Sequence, residues 1–311
     1  MSALFTSVLA ASAEAASGQH YPQGTLYVVA TPIGNLADIS LRALHVLGLV
    51  DAIACEDTRH TQSLLRAYGI DKGASQLIAV HQHNEAQAAH AVMDHLRQGQ
   101  RVAYVSDAGT PGVSDPGARL VATVQANSLR AVPLPGPSSV TTLLSVAGIA
   151  EDSSHAGGFV FIGFLPNKAG ERDRAVHALT AQERAVVLLE APHRIEALAQ
   201  ALAVLGSRKV TVGRELTKQF EEIATVGAEN LAAWLAQDAN RLRGEFALVL
   251  HPAPAAAATG PDIRVLKLLL EQLPLKTAVK LAADISGEPR NTLYSLALAL
   301  KNGEGADAAE A

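Results

Sequence analysis

From Gly24 onward, short apolar runs alternate with segments whose apolar residues recur at helical spacing. Asp38 or Ser40 can cap the first such helix, while Asn84 caps and Gly99 closes a later one. Because strand and helix patterns follow one another in a β-α-β order, we predict a parallel sheet with helices on both faces. The strands predicted for this first sheet are residues 26–30, 52–55, 77–80, 101–106 and 130–134.

A second group of strand patterns is spaced differently. Its last members lie too close together for a helix between every pair, so we predict a mixed sheet with some antiparallel pairing. With 311 residues, 49% of them hydrophobic, the chain can form two α/β domains at about 150 residues each. The strands predicted for the second sheet are residues 159–164, 185–189, 210–214, 222–226 and 246–250.

Segments outside the two sheets complete the predicted organisation. The first 20 residues have the small side chains of a secretory signal but no basic residue, so we expect a disordered tail there instead. A stretch rich in Pro, Ala and Gly precedes three helical patterns, 263–272, 276–285 and one that starts at Pro289. The expected order is a disordered tail 1–23, an N-terminal α/β domain 24–136, a second α/β domain 137–252, a linker 253–262, a C-terminal helical domain 263–303 and a disordered tail 304–311.

Charge and cysteine content narrow the function classes. One cysteine, Cys55, cannot form an internal disulfide, and no apolar run is long enough to span a bilayer, so we expect a cytoplasmic protein. The net charge of -5 is not that of a protein that binds naked nucleic acid by charge alone. Binding to RNA would therefore need local basic patches or a structured partner. No cluster of His, Cys and carboxylates has the spacing of metal ligands, and we predict no metal.

Three loops rich in glycine and proline each follow a strand of the first sheet. They are residues 31–35, 107–117 and 135–139. Loops at the carboxyl ends of parallel strands form the ligand crevice of such sheets, and glycine lets their backbone approach a ligand closely. None of the three matches a dinucleotide fingerprint or a nucleotide P-loop. The pattern favours a different nucleoside-bearing cofactor.

Motifs in a fixed order then make the pattern specific. They are VVATPIGNLADIS, ACEDTRHTQSLLRAYGI, HNE, VSDAGTPGVSDPG, LPGPSS, FIGFLP, EAPHRI, GRELTKQFEE and GEFALVL. Together they resemble the tetrapyrrole-methylase superfamily, and within it the branch that methylates a cytidine ribose of small-subunit (16S) ribosomal RNA. The resemblance covers residues 24–250, and the C-terminal helices resemble the small helix-turn-helix-like domain of that branch. Ala191 and Ser139 depart from the expected Ser and Ala.

The resemblance implies that S-adenosylmethionine binds in a cleft between the two α/β domains. Adenine needs an apolar slot, and the methionine carboxylate needs N–H groups from loops and a helix N-terminus. The cofactor-binding residues carried over are Pro32, Gly34, Asp107, Gly109, Thr110, Pro111, Ser138, Ser139, Leu189, Gly244, Glu245 and Phe246.

Transfer to a ribose hydroxyl also calls for a group that takes up the hydroxyl proton. The candidates are Asp57, Glu190, His193 and Asp115, and the sequence does not choose between them. For Asp57 a purely structural role with Arg59 or a loop amide is an equal alternative, and His193 is as readily a partly buried structural histidine. Glu215 and its neighbours in GRELTKQFEE fit a solvated or domain-contact segment as well as a catalytic one.

Candidate RNA contacts are basic side chains in three places. Arg59 and Arg194 could hold phosphates or form surface ion pairs, and a basic loop follows FIGFLP. Residues 263–303 carry six basic and three acidic side chains, a net of +3, and could dock on RNA or serve as a packing or dimerisation appendage. The further residues assigned to RNA are Lys168, Arg172, Arg174, Lys276, Lys280, Arg290 and Asn291.

The leading hypothesis is therefore S-adenosylmethionine-dependent 2′-O-methylation of a cytidine in small-subunit ribosomal RNA, on the assembled subunit because the chain is acidic. Two alternatives remain open. One is a small-molecule, tetrapyrrole-type methyltransferase on the same scaffold, and the other is a non-catalytic RNA-binding protein. The resemblance also implies a homodimer.

Overall fold

The computed structural model describes residues 3–81, 84–149, 158–253 and 263–301. The chain divides into two compact units, residues 1–252 and residues 253–311. None of the described helices has the length and apolar character needed to cross a membrane.

The first sheet is parallel throughout its five described strands. They lie in the order β3-β2-β4-β1-β5, which confirms the parallel sheet predicted from the β-α-β rhythm. The three central strands, β2, β4 and β1, are largely or fully buried, as expected for a sheet covered on both faces. The strands are β1 Thr25–Val29, β2 Ala52–Cys55, β3 Leu77–Ala79, β4 Val102–Val105 and β5 Arg130–Leu134.

Helices cover both faces of this sheet because successive strand residues point to opposite sides. Tyr27 and Val29 pack in a core with the helices α2 and α3, whereas Leu26 packs in a core with α4 and α5. Ser40, one of the two predicted caps, begins α2 by accepting a hydrogen bond from the backbone N–H of Ala43 at 3.1 Å. The helices are α2 Leu41–Leu49, α3 Thr58–Ala67, α4 Glu85–Arg97 and α5 Gly117–Ala126.

The N-terminal segment differs from the sequence expectation. Residues Ala3–Ala16 form a helix, α1, where a disordered tail was expected over residues 1–23. Ser12 and Ala16 are buried, and Val8 and Leu9 pack against the core beneath α2. The difference has a physical cause. The apolar side chains of this alanine-rich segment pack against the first-sheet core, and the stability gained by that packing outweighs the lack of capping residues.

The second sheet is mixed, as its strand spacing predicted. Its order is β6-β7-β10-β8-β9, with β6 parallel to β7 and the other pairs antiparallel. One face packs on α6 and the other on α7, α8 and α9. The elements are β6 Phe159–Gly163, β7 Ala185–Glu190, β8 Lys209–Arg214, β9 Glu222–Gly227, β10 Phe246–Leu250, α6 Ser139–Val146, α7 Ala169–Ala178, α8 Ile195–Leu202 and α9 Leu231–Ala236.

The second unit is a small helical bundle, α10 Ile263–Gln272, α11 Leu275–Ser286 and α12 Arg290–Lys301. These bounds confirm the three predicted helices to within one residue. Its core contains Leu266, Val279 and Leu293. Most of the predicted linker and the whole of the predicted tail 304–311 lie outside the described residues.

Candidate functional site

The three glycine- and proline-rich loops meet at one edge of the first sheet. Thr31 and Gly109 exchange two backbone hydrogen bonds, at 2.9 and 3.0 Å, which join the loops after β1 and β4. The hydroxyl of Thr110 donates to the carbonyl of Pro137 at 2.9 Å and so joins the loop after β4 to the loop after β5. The sequence therefore placed all three loops correctly around a shared edge.

A cavity of about 330 Å³ lies between these loops and the ends of β7 and β10 in the second sheet. Its volume falls in the range of roughly 300–1,000 Å³ that is usual for small-molecule sites. The lining residues are Ile33, Ser106, Ala108, Gly109, Thr110, Val113, Ser114, Asp115, Ser138, Ser139, Phe164, Leu189, Glu190, Ala191, Pro192, Leu216, Lys218, Glu245, Phe246 and Ala247.

Seven of the twelve predicted cofactor-binding residues line this cavity. These seven are Gly109, Thr110, Ser138, Ser139, Leu189, Glu245 and Phe246. The other five, Pro32, Gly34, Asp107, Pro111 and Gly244, each adjoin a lining residue in the sequence but do not line the cavity themselves. Pro32 and Pro111 are buried, and Ile33 borders the cavity in place of its two predicted neighbours.

Asp115 holds the long loop after β4 in shape. Its carboxylate accepts hydrogen bonds from the Tyr104 hydroxyl at 2.9 Å and from the backbone N–H groups of Gly112 and Gly117 at 2.6 and 2.8 Å. Burial and the nearby Asp115 charge raise the pKa of Tyr104, so the phenol stays protonated as a donor. A Cβ at Gly117 would lie 2.1 Å from the Tyr104 ring, so only glycine fits there.

Glu190 and Arg194 form an ion pair inside the second-sheet wall. The Arg194 Nε lies 3.0 Å from Glu190 Oε1, which also accepts from the Ala191 N–H at 2.9 Å. Arg194 donates in addition to the Leu165 carbonyl. The Glu190 side chain is 0% exposed and that of Arg194 18%. This placement counts against the predicted roles of Glu190 as a base and Arg194 as a free phosphate ligand.

The other two base candidates stand outside the cavity. Asp57 caps α3 and accepts from the N–H groups of Arg59 and His60, which lowers the pKa of its carboxyl. The Arg59 side chain is 93% exposed and lies 3.7 Å from Asp57. His193 is exposed and is not a lining residue.

Near Asp57, two further side chains link the ends of β2 and β4. The N–H of Asp57 donates to Asp107 Oδ1 at 3.2 Å, and the N–H of Asp107 donates to Glu56 at 3.1 Å. Burial, with the charges of Asp107 and Asp115, raises the pKa of Glu56. Burial also raises the pKa of Cys55 to about 11, so this thiol is not a nucleophile at neutral pH.

Lys218 belongs to the GRELTKQFEE segment, whose role the sequence left open, and it lines the cavity. Its ammonium donates to Glu215 Oε1 at 2.8 Å and to Glu245 Oε2 at 3.0 Å. Burial lowers the pKa of Lys218, but the two carboxylates outweigh burial and raise it, so the lysine stays charged. Glu215 and Thr217 have positive φ angles of 50° and 67°, a strained backbone of the kind found at functional sites.

This strained segment packs directly against the first loop. A Cβ at Gly34 would lie 2.3 Å from Lys218 Cγ, so Gly34 marks the contact between the two halves of the cleft. This placement agrees with the domain-contact role that the sequence allowed for GRELTK. Its position directly after a strand end is the sequence feature that points to the cavity. Other lining residues missed from the sequence, such as Phe164 and Leu216, also follow strand ends.

Besides Arg59 and Arg194, the candidate RNA contacts of the first unit lie at the start of α7. Lys168 precedes the helix with its side chain 82% exposed and pairs with Glu171 at 3.3 Å. Arg174 is exposed, whereas Arg172 is partly buried and donates to the Asn167 carbonyl. In the second unit, Lys276, Lys280, Arg290 and Asn291 are all exposed, and Arg290 pairs with Asp284 at 3.0 Å.

No group of His, Cys, Asp and Glu within the described residues has the arrangement of a metal site. The family model described as Tetrapyrrole (Corrin/Porphyrin) Methylases matches residues 25–232. The chain belongs to this methylase family. A second family model, the RsmI C-terminal HTH domain, matches residues 255–301, which contain the helical bundle.

Several relatives in the family are similar over nearly their whole length. A protein named ribosomal RNA small subunit methyltransferase I from Escherichia coli O157:H7 is 46% identical, covering 89% of this chain and 95% of the relative. Proteins with the same name are 46% identical in Neisseria meningitidis serogroup A, covering 90% of this chain and 94% of that protein, and 44% identical in Pseudomonas aeruginosa, covering 88% and 97%.

Solved structures of low sequence identity share the fold. A cobalt precorrin-4 methyltransferase has a TM-score of 0.52 at 16% identity, covering 74% of this chain and 98% of its own. A diphthine synthase has a TM-score of 0.54 at 12% identity, covering 73% and 90%. These likenesses confirm the predicted fold of two α/β domains.

Proposed function

We propose that this chain transfers a methyl group from S-adenosylmethionine to the ribose 2′-oxygen of a cytidine in small-subunit ribosomal RNA. The observation that carries the proposal is the similarity, at 46% identity over 89% of the chain, to a relative named for methylation of that RNA. The similarity extends through the C-terminal helices, which a small-molecule methyltransferase on the same scaffold would not need.

The cavity fits this cofactor in size and chemistry. Leu189, Phe246 and Ala247 give an apolar wall suited to an adenine ring, and the N-terminus of α6 at Ser138 and Ser139 offers backbone N–H groups for the methionine carboxylate. Gly109 has a φ of +81° and lies against Ile33, so the backbone itself forms this part of the site.

Bound in this cavity, S-adenosylmethionine supplies an already activated methyl group. The residues of the cleft then act mainly by alignment, because an in-line transfer needs the ribose oxygen and the methyl carbon held close together. The bond from oxygen to methyl carbon forms as the bond from carbon to sulfur breaks, and the hydroxyl proton must leave. Of the four base candidates, Asp115 is the one whose partly exposed side chain borders the cavity, and we propose it as the proton acceptor.

The substrate is proposed to be the assembled small subunit. The chain has a net charge of -5, which disfavours tight binding to free RNA by charge alone, while Lys168, Arg174 and the exposed cations of the second unit offer local contacts to phosphates. A homodimer that works in the cytoplasm is part of the same proposal, and it rests on the family resemblance.

A labelled-methyl assay tests the proposal directly. Purified small subunits, protein-free RNA and a tetrapyrrole are each offered with labelled S-adenosylmethionine, and ribose methylation is mapped from alkali-resistant linkages. We expect label in subunits alone, at a cytidine ribose. Equal transfer to free RNA would contradict the assembled substrate, and transfer to the tetrapyrrole alone would favour a small-molecule enzyme. Absence of cofactor binding would favour a non-catalytic RNA-binding protein.

Two glycine variants, one at the cavity and one outside it, test whether the cofactor binds in this cavity. Gly109 and Gly112 both have positive φ, of 81° and 83°, but only Gly109 lines the cavity. Replacing each with leucine imposes similar backbone strain, so the difference between them reports the site. We expect Gly109→Leu to lose affinity for S-adenosylhomocysteine in calorimetry, and Gly112→Leu to retain most of it.

A further inference from the structure

The end of β6 carries an irregularity that redirects one side chain. Phe161 pairs with Val187, but Gly163 pairs with Leu188, so Ile162 is an extra residue in the ladder. Gly163 adopts a φ of +74°. A bulge of this kind breaks the alternation of side chains along a strand and re-aims the residue that follows. Here that residue is Phe164, which lies on the cavity wall.

An ion pair fixes the segment after the bulge. Arg194 donates to the carbonyl of Leu165, the residue next to Phe164, and its guanidinium is held by the buried Glu190 carboxylate at 3.0 Å. Because Glu190 has no exposure, this link is protected from solvent. Phe164 is thus held in place from both sides, by the Gly163 turn and by Arg194.

The position of Phe164 differs from that of the other aromatic lining residue. Phe246 is 3% exposed and belongs to the deep wall, whereas Phe164 is 50% exposed. An exposed aromatic ring at the border of a cavity has a free face on which a planar ligand can stack. The exposed cation Lys168 follows four residues later, and Arg174 lies on the helix that begins there.

We infer that Phe164 stacks on the nucleobase of the acceptor nucleotide and so holds its ribose at the cavity. Aromatic rings beside cations are how proteins hold unpaired nucleotides, the ring on the base and the cations on the backbone. The deep apolar wall is left to the cofactor. This inference rests on the proposed RNA substrate, and it names the residue that grips that substrate.

The test compares Phe164→Ala with Phe164→Trp, Phe164→Leu and Phe159→Ala in the full-length protein. Phe159 begins β6, the strand that leads into Phe164, is 45% exposed and does not line the cavity, so it is a matched control. The measurements are KM and kcat with small ribosomal subunits, affinity for S-adenosylhomocysteine and the oligomeric state in solution. Wild-type transfer to subunits is measured first, because its absence would refute the proposed function itself.

We expect Phe164→Ala to raise KM for subunits by about 5- to 150-fold, the usual effect of losing one stacked base. Phe164→Trp should stay near wild type, Phe164→Leu should resemble Phe164→Ala, and S-adenosylhomocysteine should bind all of them alike. The inference is overturned if Phe164→Leu matches wild type, if Phe159→Ala causes the same loss, if cofactor affinity falls instead, or if Phe164→Ala changes the oligomeric state.

Discussion

The edge of the first sheet shapes the cavity with backbone turns, whereas the edge of the second sheet shapes it with side chains held by charge. On the first side, loops pair through backbone hydrogen bonds between Thr31 and Gly109, and a glycine at 117 lets the long loop pass against Tyr104. On the second side, Glu190 with Arg194, and Lys218 with two carboxylates, fix the wall.

The two constructions have different weaknesses. A backbone wall tolerates changes of side chain but not an added Cβ where chains approach closely. A wall built on buried charges tolerates small changes of volume but not the loss of one partner, because the other charge is then left unpaired away from water. Mutations can separate the two cases.

The largest expected effect is at the buried ion pair. Arg194→Met should lower the free energy of unfolding by about 3–5 kcal/mol, since it leaves the fully buried Glu190 carboxylate without its cation. Urea unfolding measures this. The double variant Glu190→Gln with Arg194→Met should recover part of the loss, and a double variant no better than the single one would show that charge is not what holds this wall.

A smaller loss is expected at the backbone wall. Gly117→Ala should lower the free energy of unfolding by about 2 kcal/mol, because its Cβ would meet the buried Tyr104 ring at 2.1 Å. Gly48→Ala is the control, since nothing lies within 4 Å of a Cβ at that helical position. Gly48→Ala should be neutral or stabilising. Equal effects in the two variants would remove the argument from close approach.

The next largest effect is expected at the hydrogen bond between Tyr104 and Asp115, which braces the long loop after β4. Tyr104→Phe removes one hydrogen bond to Asp115 but leaves its two backbone donors, so a loss of about 1 kcal/mol is expected in chemical unfolding. Binding of S-adenosylhomocysteine should weaken at the same time if the brace shapes the cavity. Unchanged binding would separate the brace from the site.

The smallest effect concerns pH and the far end of the second sheet. Burial, with the charges of Lys209 and Arg208, lowers the pKa of His251 below its ordinary value of 6.5. The folded state therefore resists protonation that the unfolded state accepts, so stability is retained above pH 6.5 and lost as the pH falls toward the lower folded value. In urea unfolding at pH 7.5 and 5.0, His251→Gln should show a smaller decrease than wild type.

Much of this architecture follows from the sequence because its causes are local. Apolar runs at 26–30 and 52–55 predict strands from local sequence alone. The close spacing of the last strands leaves no room for a helix between every pair, and it therefore predicted a mixed second sheet. Likewise, loops that follow parallel strands must share an edge, which is why Gly109 and Ser138 could be assigned to one cavity.

Tertiary structure decided what depends on partners distant in the chain. Glu190 could be a free base or a buried partner in an ion pair, and which of the two it is depends on how deeply the end of β7 is buried. The local sequence pattern does not specify this burial. The helix Ala3–Ala16 exists because α2 offers a surface, and Phe164 reaches the cavity because one extra residue shifts the register of β6. The burial of a side chain and the register of a strand depend on contacts with residues distant in the sequence, so they are determined only in the folded tertiary structure.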